Sequence, residues 1–240
     1  VQRWKLGAEI SGIAYEEPGV MKEDGMMYGI AGSWANHRDG AMVRIEGKFS
    51  YGLVDYVNSG TLDDIDDYML EFRMLWGREL PILKPAVVMA YAGFGYRYLN
   101  DDSGGRQTST GAWGYERESN YLYIPLGVEA LVGMDKGWSL GAALEYDVFL
   151  WGKQISHLSD VSLGYDDLEN EQREGYGYRG SIELRKKWRS KEFVVEPFIR
   201  YWEIKQSDYQ KVIYNGAIVG YGYEPKNNSR EVGLRLSLIF

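Results

Sequence analysis

The closing stretch REVGLRLSLIF (230–240) carries the reading of the whole chain. Val232, Leu234, Leu236, Leu238 and Phe240 alternate with Glu231, Gly233, Arg235 and Ser237. Successive side chains of a strand point to opposite sides, so the first set forms an apolar face and the second a polar one. The apolar face runs to the last residue.

Working back from this strand, the same period of two recurs in nine further segments: RWKLGAEISGIAY (3–15), MMYGIAGSWA (26–35), MVRIEGKFSYGLV (42–54), YMLEFRMLWG (68–77), AVVMAYAGFGYRYL (86–99), YLYIPLGVEAL (121–131), WSLGAALEYDVFLW (138–151), YGYRGSIELR (176–185) and FVVEPFIRYWEI (193–204). Each reaches the ~9–11 residues with which a tilted strand crosses a bilayer. The connections after the even-numbered segments are short (NHRDGA, RELPILKP, VGMDKG, KKWRSKE), and those after the odd ones are mostly long and acidic. An even number of strands with short turns at one end and long loops at the other is the connectivity of an outer-membrane barrel.

Composition agrees and excludes other classes. The chain has 240 residues with 20 Tyr, 8 Trp and 30 Gly against 6 Pro, a bias toward strands and turns. No apolar run approaches the ~20 residues of a membrane-spanning helix. The absence of Cys rules out disulfides and thiolate metal sites. With two His as well, neither a transition-metal site nor a cofactor is expected. A net charge of −8 without a basic stripe argues against nucleic acid.

One face of the segments collects Leu6, Ile10, Phe49, Leu70, Phe72, Leu126, Leu144, Ile182, Leu234 and Leu236 with similar residues. The other collects nine cations (Lys5, Arg44, Lys48, Arg73, Arg97, Arg179, Arg185, Arg200, Arg235) and nine anions (Glu9, Glu46, Glu71, Glu129, Glu145, Asp147, Glu183, Glu196, Glu231). A water-soluble barrel would hide the apolar face, and a membrane barrel would turn it outward. Three observations favour the second. Trp4, Trp34, Trp76, Trp138 and Trp188 gather near the short turns, and Tyr15, Tyr28, Tyr51, Tyr68, Tyr98, Tyr121, Tyr176 and Tyr178 near the long loops, as two interfacial bands. The large apolar residues exceed what a narrow bore holds. The matched charges suit an enclosed lumen in which each must find a partner. The expectation is an all-β, ten-stranded antiparallel up-and-down transmembrane β-barrel, one domain over residues 1–240, with bulges where Pro125 and Pro197 interrupt strands.

The apolar closing strand with a terminal aromatic resembles the C-terminal signal of bacterial outer-membrane β-barrels, carried here by Leu236, Leu238 and Phe240. That resemblance implies a Gram-negative-type envelope, outer-membrane lipid and lipopolysaccharide around the barrel, and recognition by the barrel-assembly machinery. It further implies periplasmic termini and extracellular long loops, and the chain is expected to be a monomer.

Ten strands with five outer loops, and the run GYERESNYLYIPLG, a tight turn, WSLGAALEYDVFLWG and a histidine-bearing loop, resemble the omptins, outer-membrane proteases. The resemblance implies a pair of aspartates on an early hairpin and an Asp-x-His couple in the fourth outer loop, which together activate a water molecule. His157 stands in that loop, but Ile155 occupies the Asp position, leaving Asp160 as a substitute; Asp55 stands on the early hairpin with Val57 where the second acid belongs. A solvated loop is the plainer reading of His157, a polar turn that of His37, and an exposed loop that of the acidic run DDIDD (63–67), which lacks Ca²⁺-loop spacing. The sequence therefore points to a non-enzymatic envelope or surface-contact protein with at most narrow solute passage. A small porin-like channel and an omptin-like protease are the alternatives.

Overall fold

The structure, a computed structural model, describes residues 1–82 and 84–240. Ten long strands make the wall: β1 (Gln2–Glu17), β2 (Met21–Arg38), β3 (Ala41–Asn58), β4 (Gly60–Leu80), β5 (Val87–Asp102), β6 (Glu116–Gly133), β7 (Trp138–Ser156), β9 (Gly175–Trp188), β10 (Lys191–Ile204) and β13 (Asn227–Ile239). Each wall strand is antiparallel to its neighbours, and the ring closes where β1 pairs with β13. Three short strands lie in the long connections. β8 (Leu168–Gln172) extends the sheet beside the top of β7, and β11 (Gln210–Tyr214) with β12 (Ala217–Gly222) forms a separate hairpin.

The turns follow from local chemistry. Asp39-Gly40 and Asn215-Gly216 each place two successive residues at positive φ (50° and 73°, 48° and 77°), the geometry that matches the twist of a two-residue hairpin. Strand after strand overruns the sequence expectation at the loop end. The segment expected as a second outer loop is instead strand, with β3 and β4 continuing to a turn at Ser59.

The outward face is apolar. Leu144 is 67% exposed, Leu6 59% and Leu236 56%, and Ile10, Phe49, Leu70, Phe72, Leu126, Ile182 and Leu234 stand out with them. A continuous belt of this kind is untenable in water and natural in lipid. Trp4, Trp76, Trp138 and Trp188 edge the belt near the short turns. Tyr28, Tyr51 and Tyr178 edge it near the loops, together with Tyr96 and Tyr146, which the sequence reading left out. Tyr15 and Tyr121, expected in that outer band, point into the lumen: Tyr121 is 3% exposed, and Tyr15 hydrogen-bonds Glu17 and Glu224 there.

The prolines behave differently from expectation. Pairing of β9 with β10 stops at Val195↔Leu184 and resumes at Phe198↔Ser181 in unchanged register. Pairing of β5 with β6 skips Pro125 in the same way. A missing donor removes ladder bonds, and the flanking pairs hold the register without a bulge. The register shift in the β6–β7 ladder falls between Leu122 and Tyr123, where Leu150 is the extra residue on β7. Below it odd-numbered residues of β7 face inward, as Asp147 and Phe149 do; above it Gln154 and Ser156 are the buried ones.

Candidate functional site

The lumen is stacked in layers. At the short-turn end a cavity of about 550 Å³ is lined by paired charges, among them Lys5, Arg44, Glu129, Glu183 and Arg235. Each of the nine carboxylates expected in the lumen has a Lys or Arg within 4.0 Å. Lys5 holds Glu183 and Glu196, and Arg185 also reaches Glu183. Arg44 sits between Glu46 and Glu129 (both 2.9 Å). Lys48 reaches Glu231 (2.9 Å) and Glu9 (3.2 Å), where Arg200 and Arg235 also converge. Arg73 joins Glu46 and Glu145.

Arg179 is the centre of this layer. Its guanidinium meets Glu71 at 2.7 Å, Asp147 at 2.8 Å and Glu145 at 2.9 Å, so three carboxylates share its planar fork, a geometry that the point charge of a Lys would not reproduce. Two tyrosines complete the network: Tyr123 donates to Glu71 (2.7 Å) and Tyr91 to Glu145 (2.8 Å). Both rings lie across glycines of the neighbouring strand. A Cβ at Gly95 would come 2.1 Å from the Tyr123 ring and one at Gly127 2.2 Å from the Tyr91 ring, so the absent side chains are what lets the tyrosines reach.

Above the network the bore is filled by packing. Tyr121, Tyr123, Phe149, Trp202 and Ile204 form one buried cluster, and Ile13, Met27, Val54, Ile65 and Met69 a second. Arg97, expected among the ion pairs, has no carboxylate within 4.0 Å among the described residues; it lies over the rings of Trp202 (5.8 Å) and Tyr121 (5.9 Å), a cation on aromatic faces.

A third layer lies beyond the lipid belt, facing the loops. Arg117 joins Glu17 and Glu224, with the Tyr15 hydroxyl shared by the same two acids. Glu23, Asp67 and Asp101 line a cavity of about 20 Å³ with Ile13, Val54 and Leu99. No Lys or Arg among the described residues pairs with these three acids, and Asp67 Oδ1 and Asp101 Oδ2 have no hydrogen-bond partner. Burial pushes Asp101 up to about 6 and Glu224 up to about 7, in each case against the pull of Arg117. Burial raises Glu23 and Asp67 as well, and the neighbouring Asp101 adds to both.

The omptin-type candidates are not assembled. His157 follows inward-facing Ser156 and therefore lies on the outside of the wall, where Nε2 meets Glu118 (2.8 Å) and Nδ1 meets Asp167 (3.0 Å). Partial burial works to lower its pKa, but these two hydrogen bonds outweigh it and hold the imidazole above its ordinary value. With both nitrogens engaged, neither is a free base. The orienting acid is Asp167, not Asp160, whose carboxylate accepts from the Glu116 N–H (3.0 Å). Asp55 accepts from the Asp64 N–H (2.9 Å), and no hydrogen bond or ion pair joins it to His157.

Sequence reasoning did not find Glu17, Glu23, Asp67, Asp101 and Arg117 as lumenal groups, because they lie where strands were read as loops, nor Glu224, which lies in the connection between β12 and β13. It also passed over Glu116, Glu118 and Asp167. The spacing Glu-x-Glu at 116–118 was the one available signal, since it places two carboxylates on one face of a strand.

No protein-family model and no curated protein matches the chain. Among solved structures, the outer membrane protease OmpT from Escherichia coli aligns over 100% of this chain and 96% of its own, with TM-score 0.65 and 12% identity. The translocator domain of the autotransporter NalP from Neisseria meningitidis aligns over 100% and 88%, with TM-score 0.46 and 12% identity. The toluene transporter TodX from Pseudomonas putida aligns over 99% and 89%, with TM-score 0.38 and 8% identity. The outward apolar belt, the closed ten-strand ring and the charged interior are those of a transmembrane β-barrel, and the likeness to OmpT is one of fold, a distantly omptin-like topology.

Proposed function

We propose that the barrel is closed to solutes and acts at the cell surface through its outer connections. The observation that carries this reading is the filled bore: the 550 Å³ cavity and the 20 Å³ cavity share no lining residue, and Tyr123 and Ile204 (each 0% exposed) with Trp202 (3%) are packed in one buried cluster that lines neither. In this reading the termini and short turns are periplasmic, the loops extracellular, and the protein a monomer inserted by the assembly machinery through Leu236, Leu238 and Phe240. The surface role is supported by the β11–β12 hairpin and its flanks, where Tyr209, Ile218, Val219, Tyr221 and Tyr223 stand exposed beyond the lipid belt. Apolar side chains displayed on a hairpin whose one charged residue is Lys211 suit contact with another surface.

Planar-bilayer recording on detergent-refolded protein tests the closed bore. Wild type is expected to pass no steady current, and Arg179→Ala to open intermittently as Glu71, Glu145 and Asp147 repel one another. Regular conductance steps in wild type would make solute passage the function. Proteoliposomes carrying wild type are expected to be retained on an octyl-coated surface, and those lacking 211–221 to be released. Wild type is also expected to leave basic peptides uncut, and cleavage that disappears in His157→Ala would restore the protease reading.

A further inference from the structure

His157, Glu116 and Glu118 make the best-ordered group of ligand-type side chains outside the lumen. Glu116 and Glu118 are next but one on β6 and share its outer face, beside the end of β7. The His157 N–H donates to the Glu116 carbonyl (2.9 Å), fixing the imidazole next to both carboxylates. One ligand atom from each of the three residues lies within 4.8 Å of the other two.

What distinguishes this group from an ordinary charged surface is that each member is held from behind. Asn100, itself 1% exposed, donates to Glu116 Oε1 (2.6 Å), and the Tyr98 hydroxyl donates to Glu118 Oε2 (2.9 Å). His157 Nδ1 is backed by Asp167, which in turn accepts from the Ser159 hydroxyl (2.7 Å) and the Ser159 N–H (3.2 Å). A carboxylate behind Nδ1 fixes that proton there and presents Nε2 forward, the arrangement found behind metal-binding histidines. No Lys or Arg among the described residues comes within 4.0 Å of Glu116, Glu118, Asp160 or Asp167, so no fixed cation competes for these carboxylates.

We propose that Glu116, Glu118 and His157 bind one divalent transition-metal ion of the Zn²⁺ class on the outer wall just above the lipid belt. One imidazole and two carboxylates give the mixed nitrogen and oxygen donor set that such ions take, with water completing the shell. On binding, the proton on Nε2 leaves to solvent and the metal takes its place between His157 and Glu118. Asp167, Asn100 and Tyr98 are positioning residues behind the three ligands. The donors come from strand spacing and a single histidine, so a count of His and Cys could not reveal them.

The test uses refolded full-length protein stripped with a chelator and titrated with Zn²⁺ in competition with a chromophoric chelator. Wild type is expected to take up one equivalent saturably. His157→Ala and Glu118→Gln are expected to lose that equivalent, and Asp167→Asn to weaken it 10–100-fold, while Asp55→Asn binds as wild type does. All four side chains lie outside the ion-paired lumen, and a heat-modifiable gel shift verifies that each variant folds. Absence of saturable uptake by wild type, or uptake unchanged in folded His157→Ala, would overturn the site and leave His157 as an ion pair between two acids.

Discussion

The two ends of the lumen solve the burial of charge in opposite ways. Toward the short turns nine carboxylates each have a cation within reach, and Arg179 alone serves three. Toward the loops Arg117 serves Glu17 and Glu224, and Glu23, Asp67 and Asp101 are buried with no cation paired to them among the described residues. A buried carboxylate without a partner is costly, and holding a proton is the ordinary way to relieve the cost. The lower lumen is thus a network fixed by ion pairs, and the upper lumen a set of acids whose charge depends on pH.

The largest effect that could break this contrast comes from removing its cations. Arg179→Ala is expected to destabilise by about 3–5 kcal/mol, the cost of leaving buried charges uncompensated, read as a fall in the urea midpoint of the refolded barrel. Arg117→Ala is expected to cost less at pH 5 than at pH 8, because its partner Glu224 can take up a proton there. Equal and pH-independent losses for the two variants would erase the distinction.

A pH series sharpens it. Asp101 and Glu224 keep their protons to about 6 and about 7 in the folded protein, above the 3.8 and 4.5 of the free groups. Below the free values both states are protonated and nothing is lost. Between the two values the unfolded chain has released its proton while the folded one retains it, so stability falls as pH rises toward 7. The expected decline from pH 5 to pH 8 is on the order of 4 kcal/mol, and Glu224→Gln or Asp101→Asn should flatten the slope. The groups facing Glu224 are Arg117, Glu17 and Tyr15. A stability that rises over the same range would contradict the assignment.

The smallest effect concerns how the lower network is held. Gly95→Ala is expected to push the Tyr123 ring off Glu71 and Arg179 at a cost of about 1–3 kcal/mol. Gly47→Ala, with nothing within 4 Å of its new methyl group, should stay within about 0.5 kcal/mol. Thermal midpoints of the two variants in one detergent give the comparison directly.

The fold was legible because one face of every wall strand had to meet lipid and the other had to be polar. REVGLRLSLIF and its upstream counterparts show that without reference to contacts. The lumenal charges were legible for the same reason, since Lys5, Glu71 and Glu145 alternate with residues too apolar to share their face. Arg97 was placed on the correct face, but its aromatic neighbours come from β6 and β10, which no local pattern reveals. The upper lumen was hidden by a boundary error: Asp-rich stretches such as LDDIDD read as loop, whereas β4 runs through them. His157 was named from the sequence as a loop residue, but its place on the outer wall was not legible, because the extra residue at Leu150 moves the later residues of β7 to the opposite face.

That extra residue also sets where the wall tolerates a change in length. Leu150 and Trp151 together face one residue of β6, so the strand carries one more residue than its ladder needs. A deletion of Leu150 is expected to regularise the pairing and leave Gln154, Ser156 and His157 on their present faces. A deletion at Phe149 removes an inward ring from the aromatic layer instead. Two neighbouring single-residue deletions thus have opposite fates, one absorbed by the wall and the other opening a void in the bore.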